Sequence, residues 1–218
     1  MEDELDLEFR ITLVVLFLGF IAHRNYCFRK FARPESETIA KGEGKSLFMK
    51  AATFLALLGL AALIAYIVNP TWMSWSSLRL PAWFRRGGIG VALLGFILLQ
   101  WSHQALRRNW SDEPRLFTGQ ELVRSGPYRW IRHPIYSAFL LIFSSPLLIS
   151  ANWFLGAMWI AMATLNILMR IRIEEAMLLG RFGDEYRGYM KVTGRVLPRM
   201  IGGNEHRQVT RSRTPNRE

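Results

Sequence analysis

The chain has 218 residues, of which 50% are hydrophobic and 21% are charged, and its formal net charge is +11 at pH 7. The charges are segregated: the 37 residues between Arg132 and Arg170 contain no Asp, Glu, Lys or Arg, and similar gaps run from Lys50 to Arg79 and from Arg86 to Arg107. Such gaps are long enough for a helix to cross lipid, and they exclude a soluble globular domain, a disordered protein and a disulfide scaffold.

The first predicted membrane span begins near the N-terminus. Its uninterrupted apolar part, Ile11 to Ala22, has only 12 residues, which is shorter than the hydrocarbon core requires. We therefore expect the helix to continue through His23 and Arg24 to Phe28. The polar groups of this extension would snorkel to the membrane surface or face the helix bundle.

Two further spans and a helical hairpin follow. Ala51 to Val68 is an uninterrupted apolar run, and Gly88 to His103 is the next apolar segment. The stretch from Ile135 to Met169 is too long for one span and slightly short for two full ones. We predict that it forms a tight hairpin that turns at 150–152, with Pro146 tolerated inside the first arm.

The distribution of basic residues predicts the orientation of these five spans. With the acidic N-terminus outside, 24 of the 28 Lys and Arg lie in the inner segments 23–50, 104–134 and 170–218, as the positive-inside rule requires. The positive charge then faces anionic cytoplasmic lipid. No nucleic-acid partner is predicted, because the basic tail 201–218 lacks interleaved aromatic residues for stacking on bases.

The predicted fold class is therefore an all-α integral membrane protein with about five transmembrane helices and a C-terminal cytoplasmic helical region. We divide the chain into N-terminal transmembrane helices (1–104), a region that carries the chemistry (105–200) and a basic disordered tail (201–218). The lone Cys27 cannot form an intramolecular disulfide and is expected to be a small packing residue. No metal site is predicted, and the oligomeric state is left open.

Two polar clusters lie where predicted spans meet the cytoplasm. The first is the segment 126–136, in which Gly126-Pro127 is a turn signal and Pro134 suits the first turn of a helix, so that His133 lies near the N-cap. Its Tyr, Trp and Arg residues fit an interfacial anchor as well as a binding site. Composition alone leaves both interpretations open.

The second cluster is the segment 170–175, on the cytoplasmic continuation of the last span. Arg170 and Glu174 are four residues apart and share one helix face, whereas Glu175 lies on the neighbouring face. One interpretation is a solvated helix end with internally paired charges. The other is a functional site, because two adjacent carboxylates beside an apolar run are costly unless a cation meets them. Together, the two clusters suggest a polar site beneath a lipid-facing cavity.

A series of motifs in this part of the chain resembles a known family. The sequence is similar to the isoprenylcysteine carboxyl methyltransferases and, more broadly, to integral-membrane methyltransferases that include the phospholipid N-methyltransferases. The resemblance covers roughly residues 105 to 200. It rests on these segments in order: Leu106-Arg107-Arg108-Asn109-Trp110-Ser111, Gly119-Gln120-Glu121-Leu122-Val123-Arg124-Ser125-Gly126-Pro127-Tyr128, Arg132-His133-Pro134-Ile135-Tyr136, Glu174-Glu175, Phe182-Gly183-Asp184-Glu185-Tyr186 and Leu197-Pro198.

The resemblance implies S-adenosyl-L-methionine as the methyl donor and a lipophilic acceptor that reaches the site from the bilayer. Arg170 would bind the acceptor, a carboxylate of the isoprenylcysteine type, and His133 would serve as a base only for an amine or phenol acceptor. By this resemblance the cofactor-binding residues are Leu122, Val123, Tyr128, His133, Pro134, Ile135, Tyr136, Glu174 and Glu175.

Three other functions remain open. A phospholipid N-methyltransferase would use the same cofactor with a different acceptor. A membrane NADPH-dependent reductase of the sterol-reductase type shares the Arg-His-Pro-x-Tyr motif, although the Glu-Glu pair argues against it. A membrane scaffold could have kept the fold without the activity.

Overall fold

The computed structural model describes residues 2–31, 33–42 and 46–199. The basic tail 201–218 lies outside these residues. Short 3-10 turns connect the regular elements. The elements are the helices α1 (Glu2–Phe31), α2 (Ser46–Val68), α3 (Ala82–Leu106), α4 (Pro134–Ser150) and α5 (Trp153–Val192), and the strands β1 (Thr38–Lys41) and β2 (Arg115–Phe117).

The helices confirm the predicted fold class of a multi-pass integral membrane protein. Four of them (α1, α2, α3 and α5) are long and apolar enough to cross a membrane, and α4 is a shorter apolar helix of 17 residues. The predicted extension of the first span is correct, since α1 continues past His23 and Arg24 without interruption.

The predicted hairpin between the last two helices is also present. α4 ends at Ser150, and Ala151 adopts a left-handed conformation with φ of 49°. The side chain of Asn152 then accepts a hydrogen bond of 2.9 Å from the backbone N–H of Leu155, which caps the first turn of α5. Pro146 lies inside α4, as expected.

A break at Gly183 divides the 40-residue helix α5. Its φ of 51° and ψ of −123° are not helical, and such a positive φ strongly favours glycine. The helical turn that follows carries Tyr186 and Tyr189 back toward α4, because the chain changes direction here.

The helix ends alternate between two rims of the bundle. At one rim, Arg85 near the start of α3 pairs with Asp6 of α1 at 2.8 Å and donates a hydrogen bond of 3.0 Å to the carbonyl of Ile149 in α4. There too, Arg10 of α1 donates a hydrogen bond of 2.7 Å to the carbonyl of Ile67 near the end of α2. The alternation of five spans is therefore as predicted. We call the opposite end, which holds both polar clusters, the site rim.

Small residues let α3 approach α4 closely, and this contact is the most extensive between any two elements. A Cβ added at Gly95 would lie 2.7 Å from Cγ1 of Ile142, and one at Gly88 would lie 2.8 Å from Cβ of Leu148. Gly88 and Gly95 thus lie where the backbone of α3 comes close to α4.

The two-stranded sheet was not expected for an all-α protein. β1 and β2 pair antiparallel, with Thr38 opposite Phe117 and Lys41 opposite Arg115. Each strand is too short to give a clear alternating pattern in the sequence. Their pairing fixes the loop after α1 beside the loop after α3.

Candidate functional site

The two ends of the charge-free stretch meet at the site rim. Tyr136, in the first turn of α4, donates a hydrogen bond through its hydroxyl to Oε1 of Glu174 in α5. Nδ1 of His133 lies 3.4 Å from Oε2 of Glu174, and Nε2 of His133 lies 3.5 Å from Oε1 of Glu175. The rings of His133 and Tyr136 stack with centroids 5.6 Å apart. The two polar clusters found in the sequence therefore form one site.

Backbone hydrogen bonds hold His133 in place. The N–H of Arg132 donates to the carbonyl of Gly194 at 2.8 Å, and the N–H of His133 donates to the carbonyl of Arg195 at 3.0 Å. In return, the N–H of Gly194 donates to the carbonyl of Trp130 at 3.0 Å. The segment that follows α5 thus holds the segment that precedes α4 in position. The sequence of either segment alone does not reveal this contact.

Glu175 belongs to a buried ion pair. Its carboxylate accepts hydrogen bonds from Nε of Arg132 at 3.1 Å and from Nη2 of Arg195 at 2.6 Å. The side chains of Glu175 and Arg132 are 7% and 8% exposed. All of these partners are groups of the protein, so Glu175 supports the site rather than facing its interior. The side chain of Glu174 differs, since it is 27% exposed.

The charge state of His133 follows from its neighbours. Burial by itself would lower the pKa of His133, but the hydrogen bonds and negative charges of Glu174 and Glu175 outweigh burial and raise this pKa above the ordinary histidine value. A protonated ring would direct one N–H toward each carboxylate, across separations of 3.4 Å to Glu174 and 3.5 Å to Glu175. The two carboxylates therefore favour the protonated form of His133, which has no free lone pair with which to accept a proton as a general base.

A large cavity of about 520 Å³ opens beside this cluster, within the size range of small-molecule sites. Two of the sequence-predicted residues, Pro134 and Glu175, do not line it. Helix α1, which belongs to the proposed N-terminal unit, contributes to its wall. The predicted residues that line the cavity are Leu122, Val123, Tyr128, His133, Ile135, Tyr136, Arg170 and Glu174.

The cavity changes from polar to apolar along one face of α5. Trp159, Ala163 and Ile167 lie one turn apart on this face. Arg170 and then Glu174 continue the same face to the site rim. The apolar part lies among the membrane spans and the polar part lies at their end, so the cavity suits a ligand with one polar and one apolar end.

Arg170 is held at the boundary between these two parts. Its Nη1 donates a hydrogen bond of 2.6 Å to the main-chain carbonyl of Asp112. The carboxylate of Asp112 in turn pairs with Arg24 of α1 at 2.9 Å. The loop after α3 therefore positions the Arg170 guanidinium, which retains donors for a ligand.

Tyr186 is a cavity residue that our sequence analysis did not assign. Its side chain is 1% exposed, and its buried hydroxyl has no hydrogen-bond partner among residues 2–31, 33–42 and 46–199. Burial without a partner is costly for a hydroxyl, and a bound ligand would remove that cost. The Phe-Gly-Asp-Glu-Tyr segment was a usable signal, but only the break at Gly183 shows why Tyr186 points inward.

The part of the chain that holds the site is similar to known proteins. Residues 88–180 match the model of the isoprenylcysteine carboxyl methyltransferase family. The matched segment contains His133, Tyr136, Arg170 and Glu174, so the resemblance seen in the sequence is confirmed where the four side chains meet.

The proteins similar to this chain are named for different methyl acceptors. A methanethiol S-methyltransferase of Mycobacterium tuberculosis is 38% identical over 71 residues, which is 33% of this chain and 28% of the relative. A protein-S-isoprenylcysteine O-methyltransferase of Tribolium castaneum is 30% identical over 129 residues, which is 55% of this chain and 43% of the relative. The matched segment thus spans 28% of the first relative's length and 43% of the second relative's length.

The fold agrees with a solved member of the isoprenylcysteine carboxyl methyltransferase family. The structure of a eukaryotic intramembrane Ras methyltransferase superposes with a TM-score of 0.55 and 24% sequence identity, over 68% of this chain and 52% of the other. At this sequence identity the likeness establishes the fold alone.

Proposed function

We propose that this protein is an S-adenosyl-L-methionine-dependent methyltransferase that acts on a lipophilic acceptor drawn from the bilayer. One observation carries the proposal: a single cavity joins the His133–Tyr136–Glu174 cluster to an apolar wall within the membrane spans. The cluster lies in the segment that matches a methyltransferase family.

The polar part of the cavity fits this cofactor, which combines a sulfonium, an ammonium and a carboxylate. Glu174 offers a partly exposed carboxylate for the cationic groups, and Tyr128 and Tyr136 offer aromatic faces. The backbone at Leu122 and Val123 lines the same end. The unpartnered Tyr186 hydroxyl adds a hydrogen-bonding group. When bound, the cofactor supplies an activated methyl group on its sulfonium.

The residues of the chain would act mainly by positioning the reactants and excluding water. Arg170 is placed to bind an anionic group of the acceptor at the boundary between polar and apolar walls. A carboxylate acceptor already carries its negative charge and needs no base, so alignment in a dry pocket provides most of the effect. His133 fits the role of a positioning residue that orients Glu174, because the two nearby carboxylates raise its pKa and so favour its protonated form.

We favour an acceptor of the isoprenylcysteine type, in which an apolar chain ends in a carboxylate that is O-methylated. The apolar face of α5 would take the chain and Arg170 the carboxylate. A second candidate is an apolar thiol, because three relatives are methanethiol S-methyltransferases. An amine acceptor, as in phospholipid N-methylation, fits less well, since it requires proton removal and the pKa of His133 is raised.

The site is proposed to face the cytoplasm, with the N-terminus outside. The segments that lead to and from the site rim (23–50, 104–134 and 170–218) carry 24 of the 28 Lys and Arg. Such an excess marks the cytoplasmic side. The cofactor would enter from the aqueous side, and the acceptor would enter from the lipid.

Labelled methyl transfer tests this proposal. Purified protein is incubated with methyl-labelled S-adenosylmethionine and, in parallel, with an S-prenylated cysteine, a long-chain alkanethiol or a membrane lipid extract. Mass spectrometry then identifies any labelled product. Label in the prenylated cysteine supports the favoured acceptor, and label in the thiol alone supports the second candidate. Absence of label from every acceptor, together with NADPH oxidation in the lipid extract, would overturn the proposal in favour of a reductase.

A further inference from the structure

A cluster of potential metal ligands lies on the cavity wall, apart from the proposed cofactor residues. His23 and Cys27 are four residues apart on α1 and share one helix face. His103, near the end of α3, completes the cluster. One ligand atom from each residue lies within 4.8 Å of the others. We propose that His23, Cys27 and His103 bind a soft divalent metal ion such as Zn²⁺ and leave one coordination position open toward the cavity.

The hydrogen bonds of the two histidines leave one ring nitrogen of each available. Nδ1 of His103 lies 2.8 Å from the main-chain carbonyl of Leu99, so the Nδ1–H donates and Nε2 keeps a lone pair. Nε2 of His23 lies 2.9 Å from Oε1 of Gln100, so Nδ1 of His23 keeps its lone pair. Metal-binding histidines usually donate their other N–H to a carbonyl or carboxylate in this way.

The distances are close to those of a metal site. With Zn–S of about 2.3 Å and Zn–N of about 2.0–2.1 Å, tetrahedral geometry puts sulfur and nitrogen about 3.6 Å apart. Sγ of Cys27 and Nδ1 of His23 are already 3.8 Å apart. Since no separation exceeds 4.8 Å, side-chain rotations that shorten the longest by about 1.5 Å or less would complete the site.

The chemistry of the ligands selects the metal. A thiolate with two imidazoles favours Zn²⁺ over Ca²⁺ or Mg²⁺, which prefer oxygen ligands. Cys27 is 0% exposed and is the single cysteine of the chain, so no second thiol competes for the metal. Within the described parts of the chain no fourth His, Cys, Asp or Glu joins the cluster. Three protein ligands with one open position are typical of zinc sites that bind water or substrate.

The open position would face a ligand in the cavity, because all three residues line its wall. A thiol that enters there would bind as thiolate and release its proton to water, since metal coordination deprotonates thiols. This part of the inference rests on the proposed function, in which a thiol is the second candidate acceptor. Metal binding itself does not depend on S-adenosylmethionine and is tested without it.

Cobalt substitution tests the metal site in the full chain, purified without a polyhistidine tag and stripped with a chelator. Co²⁺ alone should produce a thiolate-to-cobalt charge-transfer absorption in the near ultraviolet, and Zn²⁺ should abolish it at a 1:1 ratio. The band has one possible origin, Cys27, so Cys27→Ser should remove it. His103→Ala should weaken Zn²⁺ binding at least tenfold, whereas the matched control His206→Ala should not. If folded wild-type protein shows neither the band nor Zn²⁺ binding at micromolar concentration, the metal site is excluded.

The open position has its own measurement. A short alkanethiol added to the cobalt-loaded protein should intensify the charge-transfer band in wild type and produce a new band in Cys27→Ser. No change in either protein would overturn the open position and leave a structural metal. Because these spectra require no methyl donor, they remain informative if the methyl-transfer assay fails.

Discussion

Tyr136 donates a hydrogen bond to Glu174, and this contact joins the first turn of α4 to α5 across 38 residues of sequence. It orients a carboxylate whose other oxygen faces His133. The next carboxylate along the chain, Glu175, also lies near His133, but it pairs with the guanidinium groups of Arg132 and Arg195. Two adjacent acidic residues thus have different surroundings, and we expect them to have different roles.

Glu174 is expected to be the main cation-binding group of the cofactor site. Glu174→Gln keeps the size of the side chain and removes its charge, so S-adenosylmethionine should bind at least tenfold more weakly, which corresponds to about 1.4 kcal/mol. Isothermal titration calorimetry measures this change. Glu113→Gln is the matched control, because Glu113 pairs with Lys41 and Arg115 in the β-sheet region. Equal binding by Glu174→Gln and wild type would remove Glu174 from the cofactor site.

Arg170 is expected to act on the acceptor and not on the cofactor. Arg170→Ala should leave the affinity for S-adenosylmethionine within about twofold and should lower methyl transfer at least a hundredfold, because the acceptor loses its anion partner. Parallel calorimetry and turnover assays separate the two effects. The control is Arg172→Ala, because the Arg172 side chain lies on the same helix and is exposed. Loss of cofactor binding in Arg170→Ala would contradict this division of roles.

Glu175 is expected to stabilise the protein. Glu175→Ala leaves Arg132 buried without its carboxylate partner, and breaking a buried pair in this way costs about 3 kcal/mol. The melting temperature in detergent should fall by several degrees. Glu185→Gln, which removes an exposed partner of Arg124, should change stability by less than about 1 kcal/mol. Similar melting temperatures for the two variants would contradict the buried pair.

The raised pKa of His133 predicts a pH dependence of stability. Protonated His133 faces Glu174 and Glu175 on α5, with Tyr136 stacked on its ring. Glu175 also contacts Arg132 and Arg195. A group whose pKa is higher in the folded state than in the unfolded state stabilises the folded protein. This stabilisation is complete at pH values below the unfolded-state pKa, and it is lost as the pH rises through the folded-state pKa.

The melting temperature should therefore decline as the pH rises above the ordinary histidine range. His133→Gln should reduce this decline, because it removes the titrating ring and keeps a hydrogen-bond donor. Melting curves of both proteins across neutral and mildly alkaline pH provide the measurement. A decline of the same size in both proteins would show that another group is responsible.

The spans and the main cluster could be predicted from the sequence because their signals are local. The charge-free stretch between Arg132 and Arg170 is long enough for a membrane hairpin. Because the chain crosses the membrane twice in a hairpin, Arg132 and Arg170 lie at the same rim. Pro134 predicts the start of α4 for a similarly local reason. The first residues of a helix have no partner for their N–H groups within the helix, so the N–H that proline lacks is not needed at this position.

The remaining features depend on contacts between distant parts of the chain. Arg195 reaches Glu175 only because the chain folds back after Gly183. Cys27 packs in a hydrophobic cluster with Phe31 and Trp110, as expected, but its neighbour His103 lies 76 positions further on, in a different helix. Neither relationship has a periodicity or spacing that a single sequence could display.

The binding of a methyl donor is the central claim, and calorimetry on the purified wild-type protein tests it most directly. S-adenosylmethionine or its demethylated product should bind at one site per chain with micromolar affinity, and NADPH should produce no heat of binding. If the protein binds NADPH but neither S-adenosylmethionine nor its demethylated product, the proposed methyltransferase function is contradicted. The His133–Tyr136–Glu174 cluster would then be assigned to a reductase.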